Sequence, residues 1–252
     1  MSEALRRWAA AVIGAVALMF VVPGVAFADT VDQRSTSPDP SPTTQIIGGH
    51  QATQQYSWIA SLQSNGRHFC TGSLVDPQWV LTARHCVRNG AGFSVRVGSN
   101  DQASGGTLVR AVRVVRHYSS DIALVQLSSA VPNQPVQIAS SAQTGSPTTI
   151  LGWGQTCPTR GCGGIPRYLQ ALDTQLVPDD RCSGISGSAE ICVDGGNGRG
   201  ACYGDSGGPA ITNGMLVGAT SRSGYNSPTC ALGPTIYTDV PAHAGWIQRY
   251  TG

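Results

Sequence analysis

From residue 46 onward the chain reads as short apolar runs cut apart by glycine, proline, asparagine and serine. The runs "SWIASLQ", "TGSLVD", "QWVLTA", "FSVRVGS", "TLVRAVRVVRH" and "IALVQL" fill the first half of this region. "PTTILGWGQ", "LQALDTQLV", "AEICVD", "PAITNGMLVGATS" and "TIYTDV" fill the second. Several alternate apolar and polar residues with period two, the signature of strands that bury one face. Their regular spacing predicts an all-β barrel or sandwich. The polar, proline-containing stretch "SSAVPNQPVQIASSAQTG", residues 128–145, reads as a linker between two lobes. Only the tail "PAHAGWIQRYTG" has helical spacing, with Ala244, Ile247 and Gln248 or Arg249 in phase. No internal repeat is visible.

Before residue 46 the pattern changes twice. "MSEALRR" is a basic leader, "WAAAVIGAVALMFVV" an apolar core, and "VAFA" a small-x-small cleavage site ending at Ala28. That anatomy predicts a signal peptide over 1–28. The apolar stretch is short for a spanning helix and is interrupted by Pro23 and Gly24, so a stable membrane anchor is not expected. Arg6-Arg7 leaves both general and twin-arginine export open. Residues 29–45, "DTVDQRSTSPDPSPTTQ", contain almost no apolar side chain and three prolines. They bury too little surface to offset chain entropy and are expected to be a disordered propeptide, with order starting at Ile46.

The composition narrows the function. The 252 residues include 32 glycines and 15 prolines, which favours many tight turns over helical bundles. Charged residues make up only 12%, and the net charge is +2, so nothing resembles the basic stripe of a nucleic-acid binder. All sixteen basic residues are arginine, which hints at a GC-rich, bacterial genome. The eight cysteines are Cys70, Cys86, Cys157, Cys162, Cys182, Cys192, Cys202 and Cys230. An even count in an exported chain implies disulfides, and 105 connectivities are open. No pair has zinc-ligand spacing, and "GSNDQASGG" offers one carboxylate, too few for a calcium loop, so no metal or other cofactor is expected.

Three stretches carry candidate chemistry: "VLTARHC" with His85, "SSDIALVQL" with Asp121, and "GDSGGP" with Ser206 in a glycine-rich loop. Each alone has a bland structural explanation. Together they supply what acyl transfer needs. A serine hydroxyl requires a base, imidazole titrates near neutrality, and a carboxylate can hold the imidazole in the useful tautomer. A serine esterase elbow, G-x-S-x-G, is matched by chance in "GDSGG", but that fold needs alternating helices that are not evident here.

"IIGG", "LTARHC", "DIALVQL", "LGWG" and "GDSGGP", in this order, resemble the chymotrypsin/trypsin family of serine proteases from Ile46 to the C-terminal helix. The His, Asp, Ser order supports the likeness, since other triad folds use different orders. The resemblance implies two six-stranded antiparallel β-barrels with a short C-terminal helix over 46–252. It implies His85 as general base and acid, Asp121 as its orienting carboxylate and Ser206 as nucleophile. The N–H groups of Gly204 and Ser206 would form the oxyanion hole, and Ser221 would support Asp121. Cys70–Cys86, Cys182–Cys192 and Cys202–Cys230 would be family bridges, leaving Cys157 and Cys162 as a local loop staple.

A free amine on Ile46 would pair with Asp205 after cleavage, although Gln45 stands where relatives present Arg or Lys. The pocket departs from the trypsin type. Gly200 occupies the position expected at its base, and Ser223 and Thr235 would narrow its walls, which implies small or medium uncharged residues before the cut. Arg222 replaces a cleft aromatic, and is either a plain surface arginine or a cation that draws acidic substrates. Arg84 beside His85 either faces solvent or crowds the catalytic loop. His50, His68, His117 and His243 are read as structural or exposed. The expected protein is a secreted, monomeric endopeptidase acting on proteins or peptides and open to proteinaceous inhibitors. The alternative is a weakly active homologue that acts as a binding protein.

Overall fold

The computed structural model describes residues 46–252; the signal-peptide and propeptide expectations lie outside the described residues. A two-residue strand β1 (His50–Gln51) precedes a set built from β2 (Ile59–Ser64), β3 (Arg67–Asp76), β4 (Trp79–Thr82), β5 (Ser94–Val97), β6 (Thr107–Arg116) and β7 (Ala123–Leu127). These six pair in the order β2-β3-β4-β7-β6-β5, and β5 closes the ring on β2. The second set is β8 (Pro147–Gly152), β9 (Gln170–Val177), β10 (Glu190–Val193), β11 (Pro209–Thr212), β12 (Met215–Ser223) and β13 (Thr235–Asp239). It closes through β8–β9 pairing, and β1 adds to the outside of β9. Every strand pairing is antiparallel, so the fold is two closed six-stranded barrels. A 3-10 turn (Pro241–His243) leads into α1 (Ala244–Thr251).

Eleven apolar runs thus become twelve barrel strands. "PAITNGMLVGATS" splits into β11 and β12 because Asn213 and Gly214 both take positive φ (51° and 76°), the geometry of a tight two-residue hairpin. β1 was not legible, since two exposed polar residues carry no periodicity. Between β7 and β8 the chain forms no strand but an isolated bridge, Ile138 to Leu216, and its Val131 and Val136 N–H groups donate to Pro77 O and Leu74 O of the first barrel.

Closing each sheet removes its edges and gives it an interior. Leu62, Leu74, Val80, Val95, Val97 and Val125 fill the first barrel. Ile46, Ile150, Leu172, Val193, Val217 and Tyr237 belong to the second. A third cluster joins residues of both barrels: Ile59, Leu81, Ile122 and Leu124 from the first pack with Leu151, Trp153, Ile211 and Leu216 from the second. Trp79 belongs to the same cluster, and the partly buried Trp58 and Trp246 pack against it. Four disulfides, Cys70–Cys86, Cys157–Cys162, Cys182–Cys192 and Cys202–Cys230, pair every cysteine.

Because the shared cluster couples the barrels, they are expected to unfold together. Leu124→Ala, at a fully buried position of that cluster, should destabilise the fold by ~2–5 kcal/mol. Urea denaturation should show a single shifted transition for probes in either barrel; two separate transitions would refute the coupling.

Candidate active site

The three candidate residues come from loops of both barrels. His85 lies in the 3-10 turn Arg84–Val87 that follows β4, and Asp121 in the turn between β6 and β7. Ser206 sits just before β11. Its carbonyl accepts the Thr71 N–H at 2.9 Å, which ties the serine loop to the first barrel.

Asp121 is held on both oxygens. Oδ1 accepts the His85 backbone N–H at 2.9 Å; Oδ2 accepts His85 Nδ1 at 2.7 Å and the Ser221 hydroxyl at 2.7 Å. Burial pushes the Asp121 carboxyl upward, but the bonds and charge of His85, with Ser221, outweigh it and hold the group below the usual carboxylate range. Ser221 reaches Asp121 because β12 bulges there: Thr220 pairs with Tyr237 and Arg222 with the adjacent Ile236, leaving Ser221 unpaired. A bulge re-aims one side chain, and here it turns a strand hydroxyl onto a carboxylate. With Nδ1 committed to Asp121, Nε2 is the imidazole nitrogen left for proton transfer. His85 and Ser206 line one open cleft of about 580 Å3.

The serine loop is shaped by a buried carboxylate. Asp205 is 1% exposed, its Oδ1 accepting Gly154 N–H at 2.7 Å and its Oδ2 Cys202 N–H at 2.8 Å. The glycines of "LGWG" make room for it, since a Cβ on Gly152 or Gly154 would overlap the Asp205 carboxylate. Gly207 is required too: at φ +76° a Cβ would run into Thr82 Oγ1 and the Thr71 carbonyl. Desolvation raises the Asp205 pKa to about 6 against the two N–H donors. No cation pairs with it among the described residues.

Around Ser206 the backbone N–H groups divide in two. Asp205 N–H donates to Cys202 O, Gly207 N–H to Thr220 O and Gly208 N–H to Asp205 O. Among the described residues the Gly204 and Ser206 N–H groups make no hydrogen bond. Two free donors flanking a serine are what a developing oxyanion needs.

The Gly204 carbonyl is turned away by His68, whose Nε2 lies 3.0 Å from it while Nδ1 lies 2.8 Å from Ser61 Oγ. Burial lowers the His68 pKa to about 4, so this imidazole is neutral at physiological pH. The sequence leaves His68 as structural or exposed; the structure buries it and sets it against the serine loop. The available signal was a polar residue on the inward face of β3, in phase with Cys70. His117 and His243 are buried as well, and His50 is exposed on β1.

The pocket positions are met unevenly. Ala201, Ser223 and Thr235 line the cleft. Gly200 does not: it lies one residue back, its N–H on Ile47 O at 2.9 Å. Its φ of +145° favours glycine, so a carboxylate-bearing residue would be strained there. The Ser223 hydroxyl turns back onto its own loop, donating to Tyr225 O. Two arginine questions resolve. Arg84 is exposed and donates to Tyr118 O at 3.3 Å, so it does not crowd His85. Arg222 is paired through both terminal nitrogens with Glu190, and also donates to Gly184 O at 2.8 Å, so its charge is already matched. The Cys70, His85 and Cys86 grouping has its sulfurs joined as a disulfide, which leaves no thiolate to hold a metal.

Comparison with known proteins agrees with this architecture. The trypsin family model matches residues 46–247. A trypsin from Phaedon cochleariae is 35% identical over 93% of this chain and 97% of its own length. A trypsin from Xenopus laevis is 37% identical over 81% and 90%, and human kallikrein-4 is 32% identical over 82% and 87%. Mouse neuropsin, a solved serine protease, superposes with a TM-score of 0.71 at 28% identity, covering 78% of this chain and 95% of its own. These relatives are animal proteins and lend no support to the bacterial origin suggested by the arginine-only composition. From Ile46 onward, the chain belongs to the trypsin family of serine proteases.

Proposed function

We propose that this protein is a secreted serine endopeptidase that works through His85, Asp121 and Ser206 and is made as a precursor activated by cleavage before Ile46. The observation that carries the reading is the convergence of Ser206 and His85 in one cleft, beside two unbonded N–H groups and an imidazole held by Asp121. Ser206 Oγ attacks the scissile carbonyl while His85 Nε2 takes its proton, and Asp121 stabilises the imidazolium. The oxyanion of the tetrahedral intermediate is received by Gly204 N–H and Ser206 N–H; one such donor is worth roughly 2.7–4 kcal/mol in the transition state. His85 returns the proton to the leaving amine, giving an acyl-enzyme. Water, deprotonated by His85, then attacks the ester and frees the serine.

Activation follows from Asp205. A carboxylate this buried without a cation is costly. Cleavage before Ile46 would create an α-amine at a residue whose side chain is already 1% exposed in the second-barrel core. Pairing that amine with Asp205 would order the loop from Cys202 to Ser206. We read residues 1–28 as the signal peptide and 29–45 as the propeptide; no helix among the described residues is long and apolar enough to cross a membrane. The enzyme acts as a monomer on proteins or peptides and is open to proteinaceous inhibitors. Gln45 offers no charge to a basic-specific pocket, so the cut after it falls to the enzyme itself or to a protease of another specificity. At the cleaved position, Ala201, Ser223 and Thr235 offer no carboxylate, so small or medium uncharged side chains fit.

Three outcomes test this reading. A fluorophosphonate probe should label mature protein at Ser206, and Ser206→Ala should abolish both labelling and peptide hydrolysis; persistent labelling of the variant would point to another nucleophile. Peptides with alanine, valine or leucine before the bond should give kcat/KM at least about tenfold above the arginine peptide, whose charge would be left unpaired. A preference for arginine would contradict the pocket assignment.

The third outcome concerns pH. In the uncleaved chain the folded-state pKa of Asp205 is raised, to about 6 from the ordinary 3.8. The folded state therefore binds more protons than the unfolded state between those values, and stability falls as pH rises from about 4 to 6. Urea titrations of the uncleaved Ser206→Ala protein should show this decline, and Asp205→Asn should remove it. Protein starting at Ile46 should lack it, because the amine favours the ionised form; the same slope in both forms would refute the amine–Asp205 pair.

A further inference from the structure

A second cavity, of about 700 Å3, shares His85, Ser221 and Arg222 with the cleft but extends around Asp121 instead of Ser206. Four of its eight lining residues are arginines: Arg84, Arg88, Arg116 and Arg222. Arg222 is matched by Glu190, which is why it is not the cation that would draw an acidic substrate. The other three are exposed, and none forms an ion pair among the described residues. Arg84 gives one N–H to Tyr118 O, and Arg116 gives one to Arg88 O at 2.9 Å. Each guanidinium carries five donors, so these single bonds leave most of their donors open. The one carboxylate in the wall, Asp121, already accepts three hydrogen bonds from His85 and Ser221. Three like charges around one cavity repel one another unless an anion enters between them.

A route from the cleft to this cavity exists along β12. Ser221–Ser223 run past the last residue paired with β11, Ala219, so one edge of this segment is free to take an extended peptide. Ser223 lines the cleft alone, whereas Ser221 and Arg222 line both spaces. Laid along this edge with its cleaved residue by Ala201 and Thr235, a peptide reaches the space that Ser221 and Arg222 share with the arginines.

The geometry points to Arg84, Arg88 and Arg116 as an acidic-side-chain subsite: they receive a glutamate or aspartate on the amino-terminal side of the cleaved bond and select substrates that carry one. This inference rests on the hydrolytic reading above. It also locates the acid-selecting charge away from Arg222. Guanidinium is suited to the task because its planar fork meets a carboxylate with two parallel bonds.

The test uses mature enzyme and peptide pairs that share the cleaved residue and differ only by glutamate or glutamine at each of the preceding positions. At one of these positions the glutamate peptide should show a kcat/KM about tenfold higher at low ionic strength, as expected of charge-assisted hydrogen bonds. The ratio should shrink as salt is raised, because this cavity is open to screening. The combined variant Arg84→Gln, Arg88→Gln and Arg116→Gln should bring the ratio near one, while Arg110→Gln, on an exposed position of β6 outside the cavity, should not change it. Should the triple variant fail to fold, the single variants and the salt dependence of the wild type carry the same test. A ratio near one at every preceding position, a ratio indifferent to salt, or an acidic preference only after the bond would overturn the subsite. If neither peptide of any pair is cleaved, the hydrolytic reading falls and the subsite with it, which separates the two failures.

Discussion

The loop that presents Ser206 depends on one buried carboxylate. Asp205 lies beneath the turn that presents Ser206, and its two oxygens fix Cys202 on one side and Gly154 on the other. Its own carbonyl accepts Gly208 N–H at 2.7 Å, closing the turn around Ser206. With these bonds in place, the Gly204 and Ser206 N–H groups are left without partners among the described residues, while those of Asp205, Gly207 and Gly208 are bonded. His68 and Thr71 hold the Gly204 carbonyl from the first barrel and complete the turn. An ion desolvated this far strains the structure unless a cation meets it. In the proposed activation, an amine on Ile46 would supply that cation.

Around this loop the two barrels act as a clamp. Strand pairing is satisfied within each barrel; between the two halves, backbone bonds such as Thr71 N–H to Ser206 O at 2.9 Å and Leu169 N–H to Asn100 O at 2.7 Å join the chains of the loops, and the shared apolar cluster supplies the packing. The first barrel brings His85 and Asp121; the second brings Ser206 and, through a bulge, Ser221. The Asp121 backbone is also held across the interface, its carbonyl accepting the Thr238 hydroxyl at 3.0 Å. Loops placed on such a rigid frame can carry precise geometry without being stable themselves.

Local pattern made much of this legible. Short apolar runs bounded by turn residues, several of them alternating with period two, located the barrel strands, apart from the split of one run into β11 and β12 at Asn213–Gly214. The order of "LTARHC", "DIALVQL" and "GDSGGP" picked out the residues now found near one another. The four cysteine pairs matched the family resemblance and its leftover pair. The role of His68 was hidden, because a histidine on an inward strand face reads the same whether or not it holds a loop carbonyl 136 residues away.

The sequence by itself determined the strands, the cysteine complement and the set of reactive side chains, because each is written in neighbouring residues and their spacing. Only the tertiary structure decided where charge goes unmatched. Arg222 found Glu190 across 32 residues and lost its claim on substrate, while Arg84, Arg88 and Arg116 met in one cavity with no ion-pair partner among the described residues. Chain order does not specify such neighbours. They follow from which loops two closed barrels bring to their common face, and electrostatic energy depends on distance in space, not on separation along the chain.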